Sequence, residues 1–193
     1  FQTAYLKCHY PSEFMAELLT SVLDNTDKVI EYSGESARLG IKVLPPDVNI
    51  SNGGFTADNG KIRFGLNAVK NVGRNLIERV VEERKEKPYS SLYDFCKRMH
   101  GTELNRRAVE CLIKAGAFDS MGVNRHSLVE AVDGIIKSVE SDSRRNLEGQ
   151  LDLFSVMSGE SQTADTDSYE IKPFPEYSHT ELLALRAVCD AHG

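Results

Sequence analysis

The stretch Ile62 to Arg84, IRFGLNAVKNVGRNLIERVVEER, constrains the fold most, because it has the pattern of two short helices joined by a tight turn. Apolar residues recur with a helical period on both sides of the turn, at Phe64, Leu66, Val69, Leu76, Ile77, Val80 and Val81. Asn71 and Gly73 lie in the turn, and both residue types tolerate a positive φ. The sequence therefore predicts a helix-hairpin-helix unit.

The turn of this unit is a candidate phosphate-binding site. The N–H groups that open the second helix lack intrahelical partners and lie at the positive end of the helix dipole. Lys70 and Arg74 flank them. The candidate DNA-binding residues are Lys70, Asn71, Val72, Gly73 and Arg74. The pattern alone fits a plain helical hairpin without a ligand equally well.

A second unit of the same plan follows roughly fifty residues later. Asn105 is the expected cap of a helix over 106–115, and Asn124 is the expected cap of a helix over 125–139. The turn over 116–122 is longer than the first one. We therefore expect a weaker phosphate site at the second unit.

Elements of another kind are predicted before the first unit. Pro11 can start a helix over 12–23, and Asn25 or Thr26 can cap the next one. The apolar residues 41–44 form a candidate strand. The turn residues Asp58-Asn59-Gly60 predict a small β-hairpin that pairs 55–57 with 62–64.

Composition and charge limit the classes of function. The 193 residues are 40% hydrophobic and contain no apolar run long enough for a membrane span. The chain lacks a signal peptide and does not begin with Met, so we expect a cytoplasmic fragment with four free cysteines. The net charge is −6, yet residues 61–110 carry twelve Lys/Arg against seven Asp/Glu, a net +5 that favours DNA near the first turn.

From Ser138 onward, polar and acidic residues dominate as far as Ser168. This composition predicts a flexible linker. One apolar island interrupts it, formed by Gln150, Leu151, Asp152, Leu153 and Phe154. The island either packs onto its own domain or is a short linear motif that fills a pocket on a partner protein.

Several phrases resemble the alpha subunit of bacterial DNA polymerase III. They are FQTAYLKCHYPSEFMAELLTS, GIKVLPPDVN, IRFGLNAVKNVG, LYDFCKR and LIKAGAFDSMG, and the resemblance runs from Phe1 to about Asp133. The island Gln150–Phe154 is similar to the sliding-clamp-binding motif of that family. The family often has Gly at the position of Asn71, and Asn can adopt the same left-handed conformation.

The resemblance implies a mainly α fold with tandem helix-hairpin-helix units, a small β-hairpin and a disordered C-terminal linker. Residues 1–60 would be the last part of the fingers, 61–137 the DNA-binding region, 138–178 the flexible acidic linker with the clamp-binding motif, and 179–193 the truncated start of the next region. The implied partners are duplex DNA, the sliding clamp and, through missing regions, other replisome subunits. No membrane partner is expected.

The resemblance also implies that the parent protein is a DNA-directed DNA polymerase that uses Mg²⁺ held by palm carboxylates upstream of this chain. No acidic pair here matches them, so we assign no catalytic residue, no metal ligand and no cofactor, and we expect the chain alone to be inactive. Two other classes remain open. One is a stand-alone tandem helix-hairpin-helix module of a repair or recombination protein, and the other is a scaffold that binds no nucleic acid.

Overall fold

The computed structural model describes residues 2–102, 104–151, 169–178 and 180–182. Helices dominate this part of the chain, which confirms the predicted mainly α fold with a small β component. The helices are α1 (Gln2–His9), α2 (Pro11–Ser21), α3 (Thr26–Arg38), α4 (Arg74–Glu83), α5 (Leu92–Met99), α6 (Arg106–Ala115) and α7 (Arg125–Leu151). The strands are β1 (Val43–Leu44), β2 (Thr56–Asp58) and β3 (Lys61–Arg63), and two 3-10 turns cover Leu66–Ala68 and Asp119–Met121.

Helices α2 and α3 pack with the sheet around a small core. Pro11 lies in the first turn of α2, and the Asn25 side chain caps α3 by accepting from Lys28 N at 3.1 Å, as the sequence predicts. Pro11 and Asn25 fix where α2 and α3 begin. The apolar faces of both helices then pack against the strands. The buried members of this core are Met15, Ala16, Leu19, Val29, Ile41, Phe55 and Ile62.

The sheet has the strand order β1-β3-β2. Strands β2 and β3 are antiparallel and joined by Asn59 and Gly60, whose φ values are +50° and +74°. Such a two-residue turn matches the twist of the flanking strands, which explains why Asn-Gly predicts it correctly. Strand β1 pairs in parallel with the other edge of β3, with Val43 opposite Ile62.

The segment predicted as the first helix of the first unit is instead a strand followed by a 3-10 turn. Ile62 N donates to Lys42 O and Phe64 N donates to Leu44 O, both at 3.0 Å, so the backbone is committed to the sheet. Gly65 then passes so close to Gly54 that an added Cβ would lie 2.5 Å from its carbonyl carbon. The spacing of apolar residues in this segment fits a helix or a strand, and hydrogen bonding to two neighbouring strands makes it a strand.

Helices α4 to α7 surround the larger core. Ser91 caps α5, Asn105 caps α6 and Asn124 caps α7, each through a side-chain oxygen that accepts a backbone N–H. The caps Asn105 and Asn124 are the predicted ones. The largest fully buried side chains here are Phe95, Phe118, Leu66, Leu76, Ile77, Leu92, Met99, Leu112 and Ile113. The first turns of α4 and α7 pack into this core through Leu76, Ile77 and Leu128. These are the two helices that follow the predicted turns.

Parts of the segment over 138–178, which the sequence predicts as a flexible linker, are helical or packed in the structure. Helix α7 continues to Leu151, with Val139 buried and Tyr93 Oη donating to Asp142 at 2.5 Å. Residues 169–178, called the strap below, lack regular secondary structure but pack against α7. Polar composition predicted disorder because composition does not show that one face of α7, together with Tyr169 and Ile171 of the strap, packs against the larger core. Residues 152–168 lie outside the described part.

Candidate nucleic-acid interface

The first turn is held in place by Asn71 and Val72. Asn71 has a φ of +60°, as predicted, and its Nδ2 donates to Cys111 Sγ on α6 at 3.6 Å. Val72 is partly buried and packs against the larger core. The expectation of a positive φ at Gly73 is wrong, because Gly73 is extended with φ −66° and ψ 143°. Asn71 alone therefore makes the left-handed reversal.

Helix α4 begins without a capping side chain. Its N-cap is Gly73, and the first intrahelical bond runs from Ile77 N to Gly73 O at 3.1 Å. Helices α3, α5, α6 and α7 instead carry an Asn or Ser cap. The N-terminus of a helix attracts anions through its N–H groups and its dipole, and the N-cap Gly73 supplies no side-chain acceptor.

Two cations flank the start of α4, and they differ in their surroundings. Lys70 is half-buried and forms no ion pair with any residue that the structure describes. The Arg74 side chain is 63% exposed and pairs with Asp24, which is 86% exposed. The hydrogen bond and charge of Asp24 raise the pKa of Arg74. A phosphate arriving at this turn would therefore compete with Asp24 for the Arg74 guanidinium.

The corresponding cation of the second unit is turned inward. Arg125 is the first residue of α7, as Arg74 is of α4, but its side chain is only 12% exposed. Its guanidinium donates to both carboxylate oxygens of Asp119, at 2.9 and 2.6 Å, and to Lys114 O at 2.9 Å. Gly116, with φ +92°, leaves room for this arrangement, since an added Cβ would lie 2.4 Å from Arg125 Nη2.

The first three backbone N–H groups of α7 are all occupied. Arg125 N donates to Glu176 Oε2 at 3.1 Å, and His126 N donates to Glu176 Oε1 at 3.4 Å. Ser127 N donates to the cap Asn124 at 2.8 Å. The geometry gives a physical reason for the expectation that the second unit is the weaker phosphate site, since a carboxylate of the same chain already lies there.

The candidate clamp-binding motif lies at the edge of the described chain. The backbone of Gln150 and Leu151 forms the end of α7. Asp152, Leu153 and Phe154 lie outside the described residues. The first two residues of the motif therefore lie in the last turn of α7.

Neither a metal site nor a membrane-spanning helix is present within the described residues. There, no cluster of three or more His, Cys, Asp or Glu side chains is arranged to hold a metal ion. None of the helices in residues 2–102, 104–151, 169–178 and 180–182 combines the length and apolar character that crossing a membrane requires.

Sequence reasoning missed two acidic partners of these helix starts. Asp24 reaches Arg74 across fifty positions, and Glu176 reaches Arg125 across fifty-one. No local pattern marks either contact, because each depends on how separate elements pack. A Ser or Asn cap could be predicted since it lies within three residues of its target.

Comparison with known proteins agrees with this geometry. Residues 40–128 match the family model described as the helix-hairpin-helix motif. DNA polymerase III subunit alpha of Borreliella burgdorferi is 41% identical over 186 residues, which cover 96% of this chain and 16% of that protein. The same subunit of Bacillus subtilis is 40% identical over 184 residues, which cover 95% of this chain and 15% of that protein. The subunit of Escherichia coli K12 is 38% identical over 178 residues, which cover 91% of this chain and 15% of that protein. The chain thus belongs to the DNA polymerase III alpha-subunit family and spans about one sixth of the length of these relatives.

Proposed function

We propose that this chain is the part of a replicative DNA polymerase that positions duplex DNA and tethers the enzyme to a sliding clamp. The observation that carries the DNA role is the start of α4, which has no capping side chain and lies between Lys70 and Arg74. Asn71 fixes the turn that presents it. A phosphate oxygen fits such a site because N–H donors, helix dipole and two cations all favour a negative charge there.

The proposed contact recognises the DNA backbone without regard to base sequence. Backbone N–H groups and the ammonium of Lys70 bind phosphate oxygens, which are the same at every base pair. Asn71 and Val72 hold the turn against α6 and the larger core, so they would position the donors rather than read bases. Non-specific binding suits a polymerase, which has to advance along any template.

The nucleotidyl transfer itself is assigned to the parent protein. The relatives are named DNA polymerase III subunit alpha, and the metal-binding carboxylates that the family resemblance implies have no counterpart in this sequence. We expect the isolated chain to show no primer extension. The match over more than nine-tenths of the chain, including residues before the first turn, favours this function over a stand-alone repair module.

Salt-dependent binding to a duplex of mixed sequence tests the DNA role. Each phosphate contact contributes about −0.9 to the slope of log affinity against log salt, so a shallow slope is expected for wild type. Lys70→Glu should weaken binding about tenfold at low salt and flatten the slope. Asp24→Asn should strengthen binding roughly two- to fivefold, because Arg74 then has no competing carboxylate.

Lys85→Glu is the matched control, since Lys85 is an exposed cation just beyond the opposite end of α4, paired with Glu82. It should leave affinity nearly unchanged. Equal affinities for wild type, Lys70→Glu and Asp24→Asn would remove this turn from the interface.

Titration of the sliding clamp tests the tether. Leu153 and Phe154 each could contribute roughly 1.5–3 kcal/mol when buried in a pocket, offset in part by ordering of the segment. We expect binding on the order of micromolar for wild type and none for Leu153→Ala/Phe154→Ala. Val156→Ala/Met157→Ala removes two apolar residues just beyond the motif and should bind normally. Binding that survives the first double substitution would disprove the tether.

A further inference from the structure

We propose that the strap is an intramolecular lock on the second helix-hairpin-helix unit. The Glu176 carboxylate occupies the anion position at the start of α7 and thereby leaves the first unit as the phosphate-binding one. The lock itself is a property of this structure, whereas its consequence for DNA rests on the function proposed above.

Glu176 binds the start of α7 as an anionic ligand would. Its two carboxylate oxygens accept from successive backbone N–H groups, those of Arg125 and His126. A carboxylate at a helix N-terminus gains from the dipole as a phosphate does. With Asn124 on Ser127 N, the first turn of α7 has no N–H group left for an external anion.

Several independent contacts hold the strap in this register. Phe174 N donates to Ser127 Oγ at 2.8 Å, and Asn124 Nδ2 donates to Phe174 O at 2.7 Å. The ring of Tyr177 stacks on His126, with centroids 4.6 Å apart and planes at 28°. Glu176 lies between these two anchored residues, so its position follows from the strap rather than from a chance side-chain rotamer.

Gly134 within α7 leaves room for Tyr169 of the strap. Tyr169 lies so close to α7 that a Cβ added at Gly134 would be 2.0 Å from its hydroxyl oxygen. Gly in the interior of a helix is unfavourable relative to Ala. Gly134 therefore lowers the helix propensity of α7 at the position where the strap crosses. A substitution at Gly134 can displace the strap without changing any charge.

The strap also determines the charge at the start of α7. Opening the strap would remove a negative charge from the start of α7, while Arg125 and Asp119 would still pair with each other. The second unit would then offer backbone N–H donors and the dipole, without an exposed cation like Arg74. We expect it to add one phosphate contact when open and none when closed.

The test uses two substitutions that open the lock by different means and a matched control for each. Glu176→Gln removes the carboxylate charge, and Glu170→Gln removes the same charge from an exposed strap residue. Gly134→Ala displaces Tyr169, and Gly34→Ala adds a methyl group to α3 where nothing lies within 4 Å. Gly34→Ala thus controls for the general stabilisation of a helix by Ala.

Amide hydrogen exchange at Arg125 and His126 reports on the lock directly. We expect about tenfold faster exchange in Glu176→Gln and Gly134→Ala and no change in the controls. Inorganic phosphate should shift these two amide NMR signals in Glu176→Gln but not in wild type. Unchanged exchange in Glu176→Gln, or phosphate shifts of equal size in wild type, would overturn the lock.

Duplex DNA then tests the consequence. Affinity for the duplex at low salt should rise severalfold in Glu176→Gln and stay unchanged in Glu170→Gln. The slope of log affinity against log salt should change by less than the increment of about 0.9 for a cation–phosphate contact, because the open second unit adds N–H donors and no exposed cation. Unchanged affinity together with faster amide exchange, or the same gain in Glu170→Gln, would overturn the gating of DNA. If wild type bound no DNA, the proposed function would fail, while amide exchange and phosphate titration would still decide the lock.

Discussion

Asn71 determines the first turn at the scale of a single residue, because it alone has the left-handed backbone there. Asn71→Val places a β-branched side chain at φ +60°, so we expect a loss of about 1–3 kcal/mol in the free energy of unfolding. Asn71→Gly should change stability little, since Gly accepts this φ and only the bond to Cys111 is lost. Urea unfolding of the two variants measures the difference.

Gly73→Val is the matched comparison for this prediction. The sequence marks both positions as candidates for positive φ, and the structure assigns it to Asn71 only. Gly73 is extended, a conformation that Val readily adopts, so Gly73→Val should cost less than Asn71→Val. The reverse order of stabilities would mean that the reversal of the chain depends on Gly73.

At the scale of elements, local signals predicted well and non-local ones did not. The caps Asn25, Ser91, Asn105 and Asn124 and the Asn59-Gly60 turn were predictable, because each acts within a few residues. The residues of β3 were predicted both as a strand of the hairpin and as the start of a helix in the first unit, since only pairing with β1 and β2 distinguishes the two. The extension of α7 beyond 138 was missed because composition does not show the packing of one helical face.

Helix α5 and the residue Tyr89 before it should limit stability at alkaline pH. Burial raises the pKa of the Cys96 thiol from an ordinary 9.0 to about 12, and that of the Tyr89 phenol from 10.0 to about 12. Both groups lose their protons in the unfolded chain first, so unfolding is favoured as pH rises. The stabilisation of the fold by the two protonated groups is therefore complete below about pH 9. It is lost progressively as pH rises to about 12.

Each proton changes the unfolding free energy by about 1.4 kcal/mol per pH unit in this window. Cys96→Ala should delay the onset by about one pH unit, because Tyr89 then titrates first. Tyr89 Oη donates to Val80 O at 3.1 Å, so its deprotonation also breaks a contact with α4. Urea unfolding at a series of pH values measures the onset, and an identical onset in Cys96→Ala would exclude the thiol.

At the scale of the whole molecule, Arg84 connects the loop before β2 to the end of α4. Its guanidinium donates to Val48 O at 3.0 Å, Ile50 O at 3.3 Å, Ser51 O and the Asn52 side chain. Val48 N in turn donates to Ala117 O at 2.9 Å. The loop thereby joins the sheet of the smaller core to the helices of the larger one, and Phe64 packs against both cores.

Arg84→Ala should therefore destabilise the whole chain rather than one element. Burial lowers the pKa of Arg84, yet its guanidinium stays charged. Arg84→Ala therefore takes a charged hydrogen-bond donor away from the loop. We expect a loss of about 1–3 kcal/mol in unfolding free energy and faster exchange of the Ser51 amide. Arg84→Lys keeps the charge without the planar fork and should recover only part of the loss. Arg79→Ala removes an exposed arginine of α4 and should lower the free energy of unfolding by less than about 0.5 kcal/mol. Equal losses of stability in Arg79→Ala and Arg84→Ala would show that the Arg84 guanidinium does not couple the two cores.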